Sequence, residues 1–165
     1  MRSKYIVFLL ALLFGCALSA LSQEPNKLPT LAPNAPADKS QLVRSSEQKA
    51  LDDAIKPYVE KARKTYPGAK ERFLAGLPPK HVFFVTTRLH DSAGHWEQVF
   101  IAVQEIKDGI IKGLIASDIE TVSGYKAGDK YSFPESELLD WTVSMPDGTE
   151  EGNFVGKFLD TYKPD

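Results

Sequence analysis

The residues equipped for chemistry are scattered. Asp140 beside Trp141 is the first pair to weigh: an indole can stack on a sugar, a base or a partner side chain, and a neighbouring carboxylate adds a directional hydrogen bond. Trp96 and Glu97 are the other candidates for such ligand or partner recognition. The competing reading places Trp141 in the core, with Asp140 capping a turn or bonding backbone N–H groups. His90, Asp91 and His95 bracket one loop, and His81 opens a neighbouring strand. Zinc sites favour close, defined spacings and often cysteine, which this arrangement lacks, so neither a metal nor another cofactor is expected. Glu97, Glu135, Glu137, Asp140, Glu150 and Glu151 are abundant carboxylates, but glycoside hydrolysis needs two held across a cleft at a set separation. Ser117 with Asp118, and Ser144, lack the glycine pattern of a nucleophile elbow, and the glycines form no phosphate-cradling run. No residue is therefore assigned a catalytic role.

The elements that must position these residues fall into two halves. Ser45 or Ser46 can cap a helix, and Ala50, Leu51, Ala54, Ile55, Tyr58, Val59 and Ala62 recur on one stripe. Pro57 should kink this helix or start a new one, and Tyr66-Pro67-Gly68 punctuates it again before a further short piece over residues 69–75. Lys61, Arg63, Lys64, Lys70 and Arg72 make the region locally basic, in keeping with a solvated helix face, or with anionic lipid or an acidic partner. From His81 the composition turns β-branched and aromatic. Strands are expected over 81–89, 96–106 and 110–116, then around Tyr131 and Phe133, then over Leu138, Leu139, Trp141 and Val143. Asp108-Gly109 is a strong type I′ hairpin signal. Several strands are apolar on both faces, which calls for cover on both sides. The fold expected is α+β: N-terminal helices packed on a strongly bent antiparallel sheet of about five strands.

The N-terminus speaks to compartment. Arg2 and Lys4 precede an apolar run over 5–15, and Ala20-Leu21-Ser22 fits a cleavage site, so residues 1–22 read as a secretory signal peptide. The apolar run falls short of the roughly 20 residues a membrane span needs, so no transmembrane helix is expected in the mature form. Cys16 follows Leu13-Phe14-Gly15 as in a bacterial lipobox, leaving open a lipid anchor at Cys16 in place of cleavage after Ser22. It is the single cysteine, so the folded part can hold no disulfide. Residues 23–44, with Pro25, Pro29, Pro33 and Pro36, read as a Pro-rich disordered linker, and 45–165 as one domain. The chain's formal charge of −2 becomes −4 once Arg2 and Lys4 leave with the leader, which removes no acid. Such a balance gives no general attraction to nucleic acid.

The order of motifs over 81–159 resembles the YegJ-like family of bacterial proteins of unknown function. The carrying residues are Phe83-Phe84-Val85, Glu97 with Phe100, Gly113-Leu114, Gly128-Asp129 and Asp140-Trp141. One departure is Gly152-Asn153-Phe154, where a double glycine would be expected. The resemblance implies neither an activity nor catalytic residues. Together these features point to an exported, periplasmic or secreted bacterial protein. It would be a non-enzymatic binding module with an unknown protein or small ligand as partner. A small envelope hydrolase using carboxylates or histidine, and a lipid-anchored structural factor, are the alternatives.

Overall fold

The structure, a computed structural model, describes Pro29 and residues 45–163, with side chains of the first helix described from Lys49 onward. The expected signal peptide at 1–22, Cys16 with its alternative reading as a lipid anchor, the expected Pro-rich linker (apart from Pro29) and the expected Ser45/Ser46 side-chain cap lie outside the described residues.

Helix α1 runs from Ser45 to Ala75 without a break, in place of the several pieces expected. Pro57 and Pro67 lie inside it, and both are exposed. A proline leaves the carbonyl four residues earlier without its helical partner. On an exposed face that carbonyl can turn to water, so Ile55, Ala62, Tyr66 and Ala69 continue the buried stripe past both prolines.

The strands are β1 (Val82–His90), β2 (Trp96–Lys107), β3 (Ile110–Ile115), β4 (Lys130–Pro134), β5 (Asp140–Ser144) and β6 (Glu150–Gly152). They form one antiparallel sheet in the order β4-β3-β2-β1-β5-β6, six strands where about five were expected. A short 3-10 turn, Glu135–Glu137, precedes β5, so Leu138 and Leu139 lead into that strand and are not part of it. The last described element is helix α2, Phe154–Leu159. The architecture is α+β. The Asp108-Gly109 hairpin joins β2 to β3 with φ of 51° and 76°, the left-handed pair a type I′ turn requires.

Alternation sorts the side chains onto two faces. Phe83, Val85 and Leu89 of β1 join Val99 and Ile101 of β2 and Trp141 and Val143 of β5 under Ala62, Tyr66 and Ala69 of α1; this is the main core. Phe84, Phe100 and Ala102 occupy the opposite face. A third cluster joins Leu51 and Ile55 of α1 to Val155 of α2, with Trp96 and Phe158 against them. Gly113, of the Gly113-Leu114 pair, sits where β3 presses on β2 beside a register shift between Val103 and Glu105. A Cβ there would lie 2.2 Å from the Ala102 carbonyl oxygen, so only glycine fits.

Candidate functional site

Trp141 lies where α1, β5, β6 and α2 meet. It is 2% exposed. Its indole Nε1 donates to the Ala62 carbonyl at 3.1 Å and to Thr65 Oγ1 at 3.0 Å, tying strand to helix. Phe154 meets the ring edge-on at 5.9 Å, and the Arg72 guanidinium stands 6.0 Å from its centre.

Above this indole is a cleft of about 800 Å³. One wall is α1, with Lys61, Lys64, Gly68 and Arg72; the other is β6 and α2, with Glu150, Glu151, Phe154 and Lys157. Gly68 leaves that wall low, since a Cβ there would meet nothing within 4 Å. Four cationic and two anionic side chains line the cleft, a surplus of two positive charges. Arg72 pairs with Glu151 at 2.8 Å and Lys157 with Glu150 at 3.2 Å. Lys61 sits over the Phe154 ring at 4.5 Å. Lys64 is exposed. A hollow of about 340 Å³ adjoins the cleft through Arg72 and Glu151 and reaches His81 and Met145. The chemistry on offer is charge pairing at the rim over an apolar floor, which suits an anion with an apolar body.

Asp140 is fully buried on the other face of the sheet from Trp141. Its carboxylate accepts the Trp141 N–H at 2.8 Å and the Val155 N–H at 2.5 Å, which holds the first turn of α2. Burial pushes its pKa up to about 7, against the backbone N–H groups of Val155, Trp141 and Gly156 and the charge of Lys157, which favour the ionised form. The chain turns into α2 through Gly152 (φ 81°) and Asn153 (φ 55°), both left-handed. Asn153 N–H donates to the Trp141 carbonyl at 2.8 Å. A Cβ on Gly152 would lie 2.2 Å from that same oxygen. Asparagine tolerates this conformation better than most residues, so Asn153 takes the place where a second glycine was expected.

Glu97 is 2% exposed and accepts three consecutive backbone N–H groups, from Glu120 at 3.2 Å, Thr121 at 2.9 Å and Val122 at 3.3 Å. It pins the loop between β3 and β4. Trp96 is half-buried, with the Arg88 guanidinium 4.2 Å over its ring and Asp52 of α1 paired to Arg88. Of the four sequence candidates, then, Trp141 alone lines the cleft. Asp140 and Trp96 lie toward α2 and the start of α1, and Glu97 lies under a separate loop.

The histidines are dispersed. His95 Nδ1 lies 3.0 Å from Asp91, whose carboxylate also accepts the backbone N–H groups of Ala93, His95 and Ser123. The bond with His95 and these N–H groups hold the Asp91 carboxyl well below the usual range. His81 Nδ1 is 3.2 Å from the Pro79 carbonyl. Among the described residues no group of three or more His, Cys, Asp or Glu is placed to share a metal ion, and no helix is long and apolar enough to cross a membrane.

Sequence reading noticed the basic run of α1 but not the wall it faces. Glu150 and Glu151 figured there only as carboxylates, and Lys157 lies 93 residues beyond Lys64, with no periodic signal linking it to Lys61 or Lys64. Residues 52–161 match a family described as "Uncharacterized protein conserved in bacteria (DUF2314)". No curated protein and no solved structure matches the chain.

Proposed function

From the premise that this chain belongs to the DUF2314 family of uncharacterised bacterial proteins, we propose that it is a non-enzymatic binding module of the bacterial envelope that holds an anionic ligand over Trp141. It is exported by the leader at residues 1–22 and is akin to the YegJ-like proteins. The observation that carries this reading is the cleft of about 800 Å³, with its apolar floor and surplus of two positive charges. The cations differ in readiness. Arg72 and Lys157 are already paired with glutamates, which fixes their position but weakens their pull. Lys61 and Lys64 stand exposed on α1 one helical turn apart and are the groups that meet the ligand's charge first. The buried carboxylates Asp140 and Glu97 are engaged with backbone amides, a positioning role and not a chemical one.

Native mass spectrometry tests this on protein expressed with its own leader and purified gently from the envelope fraction. A reproducible anionic adduct, lost in the Lys61→Glu/Lys64→Glu variant with an unchanged circular dichroism spectrum, is the expected result. A bare monomer in both preparations would sink the binding role. The same spectrum reads the leader: a mass beginning at Gln23 fits export by cleavage, whereas one beginning at an acylated Cys16 replaces a released module with an anchored one.

A further inference from the structure

The cleft over Trp141 and the hollow beside it form one groove. Both are lined by Arg72 and Glu151, whose ion pair at 2.8 Å bridges the junction. One wall is α1 from Lys61 to Ala75, roughly 21 Å at about 1.5 Å per helical residue, the length of about six extended residues. The other wall includes the end strand of the sheet, since β6 has a neighbour, β5, on one side only. The two walls run in opposite directions. Phe154 meets Lys61 at one end, Glu151 meets Arg72, and Met145 shares the hollow with Ala75 at the other end.

The ladder between β5 and β6 decides which backbone groups are taken. Asn153 N–H donates to the Trp141 carbonyl at 2.8 Å, and Met145 N–H to the Thr149 carbonyl at 2.9 Å. Antiparallel bonding alternates along a strand. The N–H and C=O of Glu151 therefore turn to β5, while those of Glu150 and Gly152 turn to the open side. The Gly152 carbonyl is met there by Lys157 Nζ at 2.9 Å. Glu150 presents a donor and an acceptor to the edge. Resting on the anion-binding reading of the cleft, we propose that its ligand is an extended acidic peptide, which adds a strand to the β6 edge at Glu150 and lies in the groove beside α1.

The charges on α1 have the spacing of such a strand. Lys64 and Arg72 are eight residues apart, roughly 12 Å along the helix, close to the roughly 13 Å between residues i and i+4 of a strand, whose side chains share a face. Acidic residues at those two positions meet both cations. Arg72 is held meanwhile by Glu151 in an exposed pair, the kind that contributes little, so the peptide's carboxylate readily takes Glu151's place. Gly68 lies midway between the two cations. A Cβ there would meet nothing within 4 Å, so the peptide passes where a side chain would otherwise stand. The opposite edge of the sheet is closed to pairing of this kind: β4 carries the exposed Lys130 and Pro134, and proline has no N–H to offer, whereas β6 has neither lysine nor proline.

NMR titration of the protein, expressed with its leader, tests this with a pool of N-acetylated hexapeptides that alternate glutamate with valine, leucine or phenylalanine. Saturable binding that shifts the amides of Glu150 and Gly68 and leaves those of β4 unchanged is the expected result. Methylating one alternate set of peptide nitrogens should weaken binding roughly ten-fold, and methylating the other set much less, because only one edge of an added strand faces β6. Gly68→Phe, at a helix position where glycine is the poorer former, should block binding with the circular dichroism spectrum unchanged. Glu151→Gln frees Arg72 and should tighten binding several-fold. Equal effects of the two methylated sets, or no binding by any peptide, overturn strand addition. So does glutarate binding as tightly as the peptides, an outcome that leaves the anion-binding cleft standing. Peptide binding unchanged in Lys61→Glu/Lys64→Glu would sink both.

Discussion

Glu97 and Asp140 are both carboxylates removed from solvent and bonded to backbone amides, yet they stabilise different kinds of structure. Glu97 reaches from β2 to three consecutive N–H groups of a loop whose outer residues, such as Glu120, touch water. Asp140 bonds the amide next to it in sequence and the first turn of a six-residue helix, wholly inside. In the first case three loop amides converge on one buried carboxyl group. In the second, amides and burial pull the same group in opposite directions. The difference separates a carboxylate that gathers the amides of a loop from one whose burial works against its charge.

The largest expected effect tests that separation directly. The Asp140 pKa of about 7 is raised above the unfolded value of 3.8. The folded state therefore binds the extra proton between those two values. Stability from this group is full below about pH 4, declines as pH rises toward 7, and is flat above. The ceiling is on the order of 4 kcal/mol, from about 1.36 kcal/mol per unit. Urea titrations at pH 5 and pH 8 should show the lower stability at pH 8, and Asp140→Asn should flatten the slope. An equal slope in the variant would assign the dependence elsewhere.

Glu97→Ala should cost about 3 kcal/mol, because it leaves the buried Val122 N–H without an acceptor and strips a hydrogen bond from two others. Hydrogen exchange should speed up first at residues 120–122 while α2 stays protected. Exchange rising equally in α2 would merge the two regions into one cooperative unit. Trp141→Phe should cost roughly 1–2 kcal/mol, the worth of the paired indole N–H plus a small loss of packing. A thermal melt that does not move would mean the strand is held to α1 without that bond.

Much of this architecture was legible beforehand, and what was not has physical causes. The first five strands declared themselves through β-branched and aromatic composition and through Asp108-Gly109, because pairing is local across a hairpin, whereas the three-residue β6 is too short to carry a pattern. The unbroken α1 did not, since Pro57 and Pro67 are tolerated only because the sheet buries the opposite stripe, a tertiary fact. Helix α2 was equally hidden: six residues hold helical form through Asp140 and the burial of Val155, neither adjacent in sequence to the other. The candidate cleft was least legible of all, because its walls meet only after the sheet has formed.

The smallest effect belongs to the turn that feeds α2. Asn153 adopts φ 55° and ψ 46°, and its Nδ2 donates to Glu150 at 3.1 Å, while its Oδ1 is buried without a hydrogen-bond partner. Asn153→Gly would relieve a left-handed backbone strain of about 1 kcal/mol and remove the unpaired oxygen, but would give up the bond to Glu150 and leave a space. These terms nearly cancel, so denaturant midpoints should shift by less than about 1 kcal/mol. Asn153→Ala keeps the backbone strain and loses the bond, so it should be the less stable of the two. If alanine matched glycine here, the left-handed turn would not be what selects the residue, and the account of Asn153 standing in for a second glycine would fail.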